Sequence, residues 1–107
     1  MIKNITTNTV HQTAQLINYA PESIVSKEII HTPTGSITLF AISQGQKISE
    51  HTAPFDATVF ITHGEAQITI SGHTHTVKAG EMIIMPANEP HALEAQSSFK
   101  MVLIMIR

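Results

Sequence analysis

Residues 51–72, HTAPFDATVFITHGEAQITISG, and residues 77–93, VKAGEMIIMPANEPHAL, decide the fold of this chain. Strand patterns run over 57–62 and 65–70, with His63-Gly64 between them as a tight hairpin signal. Ser71-Gly72 marks the next turn, and 73–77 reads as a short strand ended by Ala79-Gly80. Met82 to Met85 reads as a buried strand stopped by Pro86. The loop Ala87-Asn88-Glu89-Pro90 then leads into a strand over 91–94.

The flanks continue the same rhythm. Residues 23–31 and 35–42 are strand-like, with Pro33-Thr34-Gly35 as the turn between them. A further run over 46–52 is interrupted by Ala53-Pro54-Phe55, and 99–106 closes the chain. Ile, Val and Thr supply 34 of the 107 residues, and these stiff side chains favour pleated surfaces. Short strands at even intervals favour an antiparallel sandwich or barrel over a parallel sheet with crossover helices. Only the beginning departs from this: Val10, Ala14 and Ile17 recur at helical spacing after Asn8 or Thr9, either of which caps well. A short helix is predicted within residues 8–20, closed by Pro21.

Composition excludes several classes. The length fits one domain. With 6 basic against 8 acidic residues, and Arg107 the only arginine, there is no electrostatic footprint for nucleic acid. No apolar run is long enough for a membrane helix, and residues 1–10 lack a signal-peptide core, so a cytoplasmic protein is expected. No cysteine occurs, which excludes disulfides and thiolate metal sites. Two strands carry apolar residues on both faces: 35–42, with Ile37, Leu39 and Ala41 opposite Phe40 and Ile42, and 99–106, with Met101, Leu103 and Met105 opposite Val102, Ile104 and Ile106. A sheet exposed to water alternates instead. Cover by the N-terminal helix explains such strands; a homodimer interface explains them and also fits the low charge (13%), and is favoured.

Histidines carry the candidate chemistry. His51 stands near a strand end and His91 just past a proline loop, so the two can converge across a closed sheet. Imidazole suits Zn, Fe, Ni or Cu, and catalytic sites commonly take three protein ligands. Asp56 is a weaker candidate, since strand alternation points it away from the lumen unless Pro54-Phe55 introduces a bulge. His73 and His75 share one side of a strand; His75 is kept as a weak candidate and His73 is read as an exposed turn residue. His11, His31 and His63 have no partner spacing, and Glu50 reads as a surface acid. No Ser–His–Asp arrangement and no glycine-rich phosphate loop occur.

The spacing Gly80, Pro86, His91, together with Gly45, His51 and Gly64, resembles the two motifs of the cupin superfamily. Ala53 and Ala57 stand where that family places its second histidine and its glutamate. The resemblance implies an all-β antiparallel barrel or jelly roll, a single domain over 1–107. Residues 1–34 would form an N-terminal helix and strand extension, and 35–107 the barrel core. It implies a homodimer and a mouth holding His51 and His91, with a divalent ion (Zn, Fe, Ni or Mn) weakly held or absent. Ala53, Ala57, Val59 and Ile61 would line the cavity, with Met82 or Met85 deeper. The superfamily includes enzymes and binders, so fold alone assigns no reaction. A metal-assisted enzyme acting on a small organic substrate is one expectation. Another is a non-catalytic binder or sensor of a small ligand with a metal-free cavity, and a third is a structural barrel with an empty one.

Overall fold

The β-branched runs form nine strands in the computed structural model, which describes residues 1–107. They are β1 (Ile24–Thr32), β2 (Gly35–Ile42), β3 (Lys47–His51), β4 (Asp56–His63), β5 (Glu65–Ile70), β6 (His73–Lys78), β7 (Met82–Met85), β8 (His91–Glu94) and β9 (Phe99–Ile106). All pair antiparallel, in a five-stranded sheet ordered β1-β2-β9-β4-β7 and a four-stranded sheet ordered β3-β8-β5-β6. The two inner faces enclose a core of twelve buried residues, in which Phe99, Val59, Ile61, Ile68 and Met101 are almost inaccessible. This is the two-sheet antiparallel barrel expected from the strand spacing. No helix is long and apolar enough to cross a membrane.

The local turn signals hold where neighbouring strands pair. Pro33-Thr34 joins β1 to β2, and Ser71-Gly72, both at positive φ (48° and 83°), joins β5 to β6 as a two-residue turn. His63-Gly64 does something else. Both edges of β4 are already occupied, by β9 and β7, so β5 has no edge to pair with and crosses into the other sheet. Gly64, at φ 73°, is a corner between sheets and not a hairpin.

The helix expected within residues 8–20 does not form; only a 3-10 turn, Thr13–Gln15, appears, capped by neither Asn8 nor Thr9. Asn8 lies at φ 58°, outside helical space, and Val10 is 98% exposed, so the apparent stripe buries nothing at its first position. Thr, Val, Ile and Asn, weak helix formers, make up six of the thirteen residues of this segment, and so short a helix is marginal without a packed face. The chain instead crosses the outer face of the larger sheet as an irregular strap. Ile17, with Leu16 and Tyr19 beside it, packs over Leu39 and Ala41. The second apolar face of β2 is therefore covered from within the chain, without a second copy. On the other half of that face Phe60, Met82, Ile84 and Ile106 stay exposed (38–59%).

Two polar contacts fix the strap. The Tyr19 hydroxyl and His63 Nδ1 are 2.7 Å apart, and Lys100 Nζ donates to the Ala14 carbonyl at 2.6 Å. Partial burial of the Tyr19 phenol raises its pKa above the ordinary value. Because Ile17 belongs to a three-residue cluster outside the main core, Ile17→Ala is expected to cost about 2 kcal/mol, the low end for buried aliphatics, measured by urea unfolding. A loss near zero would mean that the strap does not protect β2.

Candidate metal and ligand site

Strand pairing brings His51 and His91 together. They are cross-strand partners in β3 and β8, beyond an irregularity between Ile48 and His51. His91 is buried, while His51 is exposed at the rim. Their Nε2 atoms are 3.1 Å apart, and the rings meet edge to face with centroids 4.3 Å apart.

The outer ring nitrogens decide what this contact is. His51 Nδ1 lies 2.9 Å from the Ser49 carbonyl oxygen, and His91 Nδ1 lies 3.2 Å from that of Glu89. A carbonyl only accepts, so each Nδ1 carries the hydrogen, an assignment made from the hydrogen-bond network. In the neutral rings both Nε2 atoms are then acceptors, held 3.1 Å apart. Two acceptors at this distance need a proton or a cation between them. His51 and His91 would be the two residues to hold such a cation, with its other positions left to water. The donor set fits a divalent ion, and backbone carbonyls orient both imidazoles as outer partners do in metal sites.

A third protein ligand is not assembled, and no cluster of three His, Asp or Glu side chains occurs. The Asp56 carboxylate accepts the Ala87 N–H at 2.9 Å, holding the β7–β8 loop rather than facing the pair. His75 is opposite Ile68 on the edge strand β6 and is exposed. His73 lies in the same cross-strand row as His91 and Ile70, two strands away or roughly 10 Å, which sequence reasoning did not anticipate.

Below the pair is a hollow of about 270 Å³ lined by Phe40, Ile48, Met85, Leu93, Met101, Leu103 and Met105. None of the four residues expected to line the cavity does so. Ala57, Val59 and Ile61 are buried in the core cluster with Ala66, Ile68 and Val77, where the sandwich is closed over β4. Ala53 sits in the rim loop, its carbonyl accepting the Asn88 N–H at 2.8 Å. Met85 is buried and lines the hollow, whereas Met82 projects from the outer face at 47% exposure. The two apolar faces of 99–106 were visible in the sequence, but which of them faced inward, and which strand faced the open end, was not.

Comparison with known proteins agrees with this architecture. The family model described as "Cupin domain" matches residues 38–107. No curated protein matches the chain. A conserved protein of unknown function from Streptococcus pyogenes is 36% identical, with a TM-score of 0.95, over 99% of this chain and 93% of that one. A cupin superfamily protein from Desulfitobacterium hafniense DCB-2 is 25% identical (TM-score 0.93; 99% and 97% covered). A DMSP lyase from Ruegeria pomeroyi DSS-3, 18% identical (TM-score 0.72; 78% and 47% covered), shares the fold alone. With two antiparallel sheets, the histidine pair at one end and a family match over most of its length, this chain belongs to the cupins.

Proposed function

We propose that this cupin holds a divalent metal ion between His51 and His91 and binds a small organic ligand in the apolar hollow beneath. The facing Nε2 atoms, 3.1 Å apart with both Nδ1 positions engaged by carbonyls, carry this reading. An ion with two protein ligands, one fewer than catalytic sites commonly take, keeps positions open for water or substrate. It is also loosely held. Protein purified from cytoplasm without an affinity tag is expected to contain substoichiometric metal and to take up zinc, nickel or manganese by calorimetry, heat that vanishes in His51→Ala. No metal uptake by the intact protein would overturn the metal reading.

A second reading, a metal-free binder or sensor, is favoured by one observation: Ala53 and Ala57 stand where the family's other ligands would be. Binding of an apolar probe that is unchanged by a chelator supports the binder.

The chain is also proposed to work as a homodimer through the exposed half of the larger sheet. Phe60, Met82, Ile84 and Ile106 project from β4, β7 and β9, whose area there is about 300 Å² in projection. The charges bordering this face are tied internally, Lys100 to the Ala14 carbonyl, Asp56 to the Ala87 N–H and Glu81 to the Lys78 N–H, so little remains to select an unlike partner. A two-fold contact needs only this one patch, and its small area predicts weak association. Light scattering over a concentration series is expected to approach twice the monomer mass, and Ile84→Glu to remain monomeric. A monomer mass throughout for the unmodified chain would refute it.

A further inference from the structure

The hollow that His51 and His91 border is also lined by three methionines, Met85, Met101 and Met105. Strand register brings two of them to the level of the imidazoles. Met85 on β7 and Met105 on β9 are the cross-strand partners of Ala57, one on each side, so the three side chains share a single inward-facing row. That row lies at the histidine end of the sheets. Met85 is the last residue of β7 and His91 the first of β8, while His51 ends β3 and Ala57 is the second residue of β4. The two loops these residues flank are tied together, the Asn88 N–H donating to the Ala53 carbonyl. Met101 pairs with Ile61 and lies deeper. Ala57 adds only a methyl group to the row, so the thioethers on either side of it, each on a side chain with three rotatable bonds, are free to turn toward the imidazoles.

The donor chemistry of this space is soft and neutral. No carboxylate lines it. Its possible ligands are imidazole nitrogen and thioether sulfur. Thioether sulfur selects copper(I), whereas zinc, nickel and manganese are better served by nitrogen and oxygen. Charge points the same way. Neutral donors leave an ion its full charge, and the cost of desolvating that charge in an apolar hollow rises with its square. A monovalent ion is therefore favoured over a divalent one.

We propose that the histidine pair takes copper(I) in preference to divalent ions, with thioether sulfur from Met85 and Met105 at positions otherwise left to water. The proposal rests on the reading that His51 and His91 hold a metal ion, and it names the ion and the remaining ligands. Met101 stays part of the apolar wall.

The test uses the whole chain, titrated with copper(I) under reductant and inert gas against a chromophoric chelator, and separately with zinc. Methionine methyl resonances are followed in both titrations. Copper(I) is expected to bind at least about a hundredfold more tightly than zinc and to shift the Met85 and Met105 methyls, which zinc leaves in place. The exposed Met1 and Met82 should not move. Met85→Leu and Met105→Leu conserve side-chain volume and remove the sulfur, so each should fold and weaken copper(I) about tenfold with zinc affinity unchanged. If the leucine variants bind copper(I) as tightly as the unmodified chain, the thioether proposal fails while the histidine site stands. If they lose copper(I) and zinc in equal measure, the methionines only shape the hollow, and the proposal is again overturned. Copper(I) that shifts Met1 or Met82 instead, or binds undiminished in His51→Ala, sits elsewhere, which also overturns it. If neither ion binds, the metal reading itself fails and the proposal with it.

Discussion

Gly64→Ala is expected to destabilise the domain by about 4 kcal/mol, and Gly72→Ala by about 1 kcal/mol, although both glycines lie at positive φ. The left-handed backbone costs a residue with a Cβ about 1–2 kcal/mol at either site, partly offset by the narrower unfolded ensemble of alanine. The difference lies in the surroundings. A Cβ at Gly72 meets nothing within 4 Å, whereas one at Gly64 falls 2.3 Å from the Ser98 carbonyl oxygen and 3.1 Å from Phe99 Cα. Those are backbone atoms, and they lead into a phenylalanine that is fully buried in the core. The corner cannot open without dragging β9 out of register with the core, which places the clash near the top of the range for overpacking. A loss of this size is a large fraction of the stability of a small domain and should lower the melting temperature by more than about 15 °C. Parallel urea titrations of the two variants are the measurement. Equal losses at both positions would show that the corner is looser than its geometry.

His51→Ala is expected to lower zinc affinity at least about a hundredfold, and His91→Ala equally, because neither imidazole alone retains the ion. His51 gives the cleaner result: it is exposed at the rim, so its truncation leaves no void in the core, whereas His91 is buried. Ala53→His should act in the opposite direction and tighten binding about tenfold or more by adding a third imidazole from the rim loop. Metal binding requires unprotonated rings and releases protons, so affinity should fall as pH is lowered. Calorimetry in two buffers of different ionisation enthalpy would count the protons released. Zinc binding of unchanged strength in both alanine variants would remove the pair from the metal site. Unchanged binding in Ala53→His would show that the rim loop does not bring residue 53 to the ion.

Strand positions were legible because they depend on local properties. The bounds of β2, β5, β7, β8 and β9 follow directly from β-branched runs cut by Gly, Pro and polar turns. The failure at residues 8–20 has the opposite cause. Val10, Ala14 and Ile17 match a helical period, but the period says nothing about whether a surface exists for that stripe to cover. The outer face of β2 needed covering at Leu39 and Ala41, and an irregular strap with Ile17 provided that contact. Gly64 shows the same limit at a turn: the dipeptide marks a sharp reversal, but only the occupancy of both edges of β4 turns it into a corner between sheets.

By itself the sequence determined an antiparallel all-β domain and the two faces of its strands, and its glycine, proline and histidine spacing carried the family resemblance that puts two histidines at one end. The strands and their faces follow from side-chain alternation and turn chemistry, which act over a few residues. Only the tertiary structure decided that the imidazoles meet through their Nε2 atoms, because that depends on carbonyls at Ser49 and Glu89 fixing both rings. It alone decided that Met85, Met101 and Met105 wall the hollow while Val59 and Ile61 vanish into the core. Which inward residues meet open space depends on where two sheets part, a distance between strands far apart in the chain.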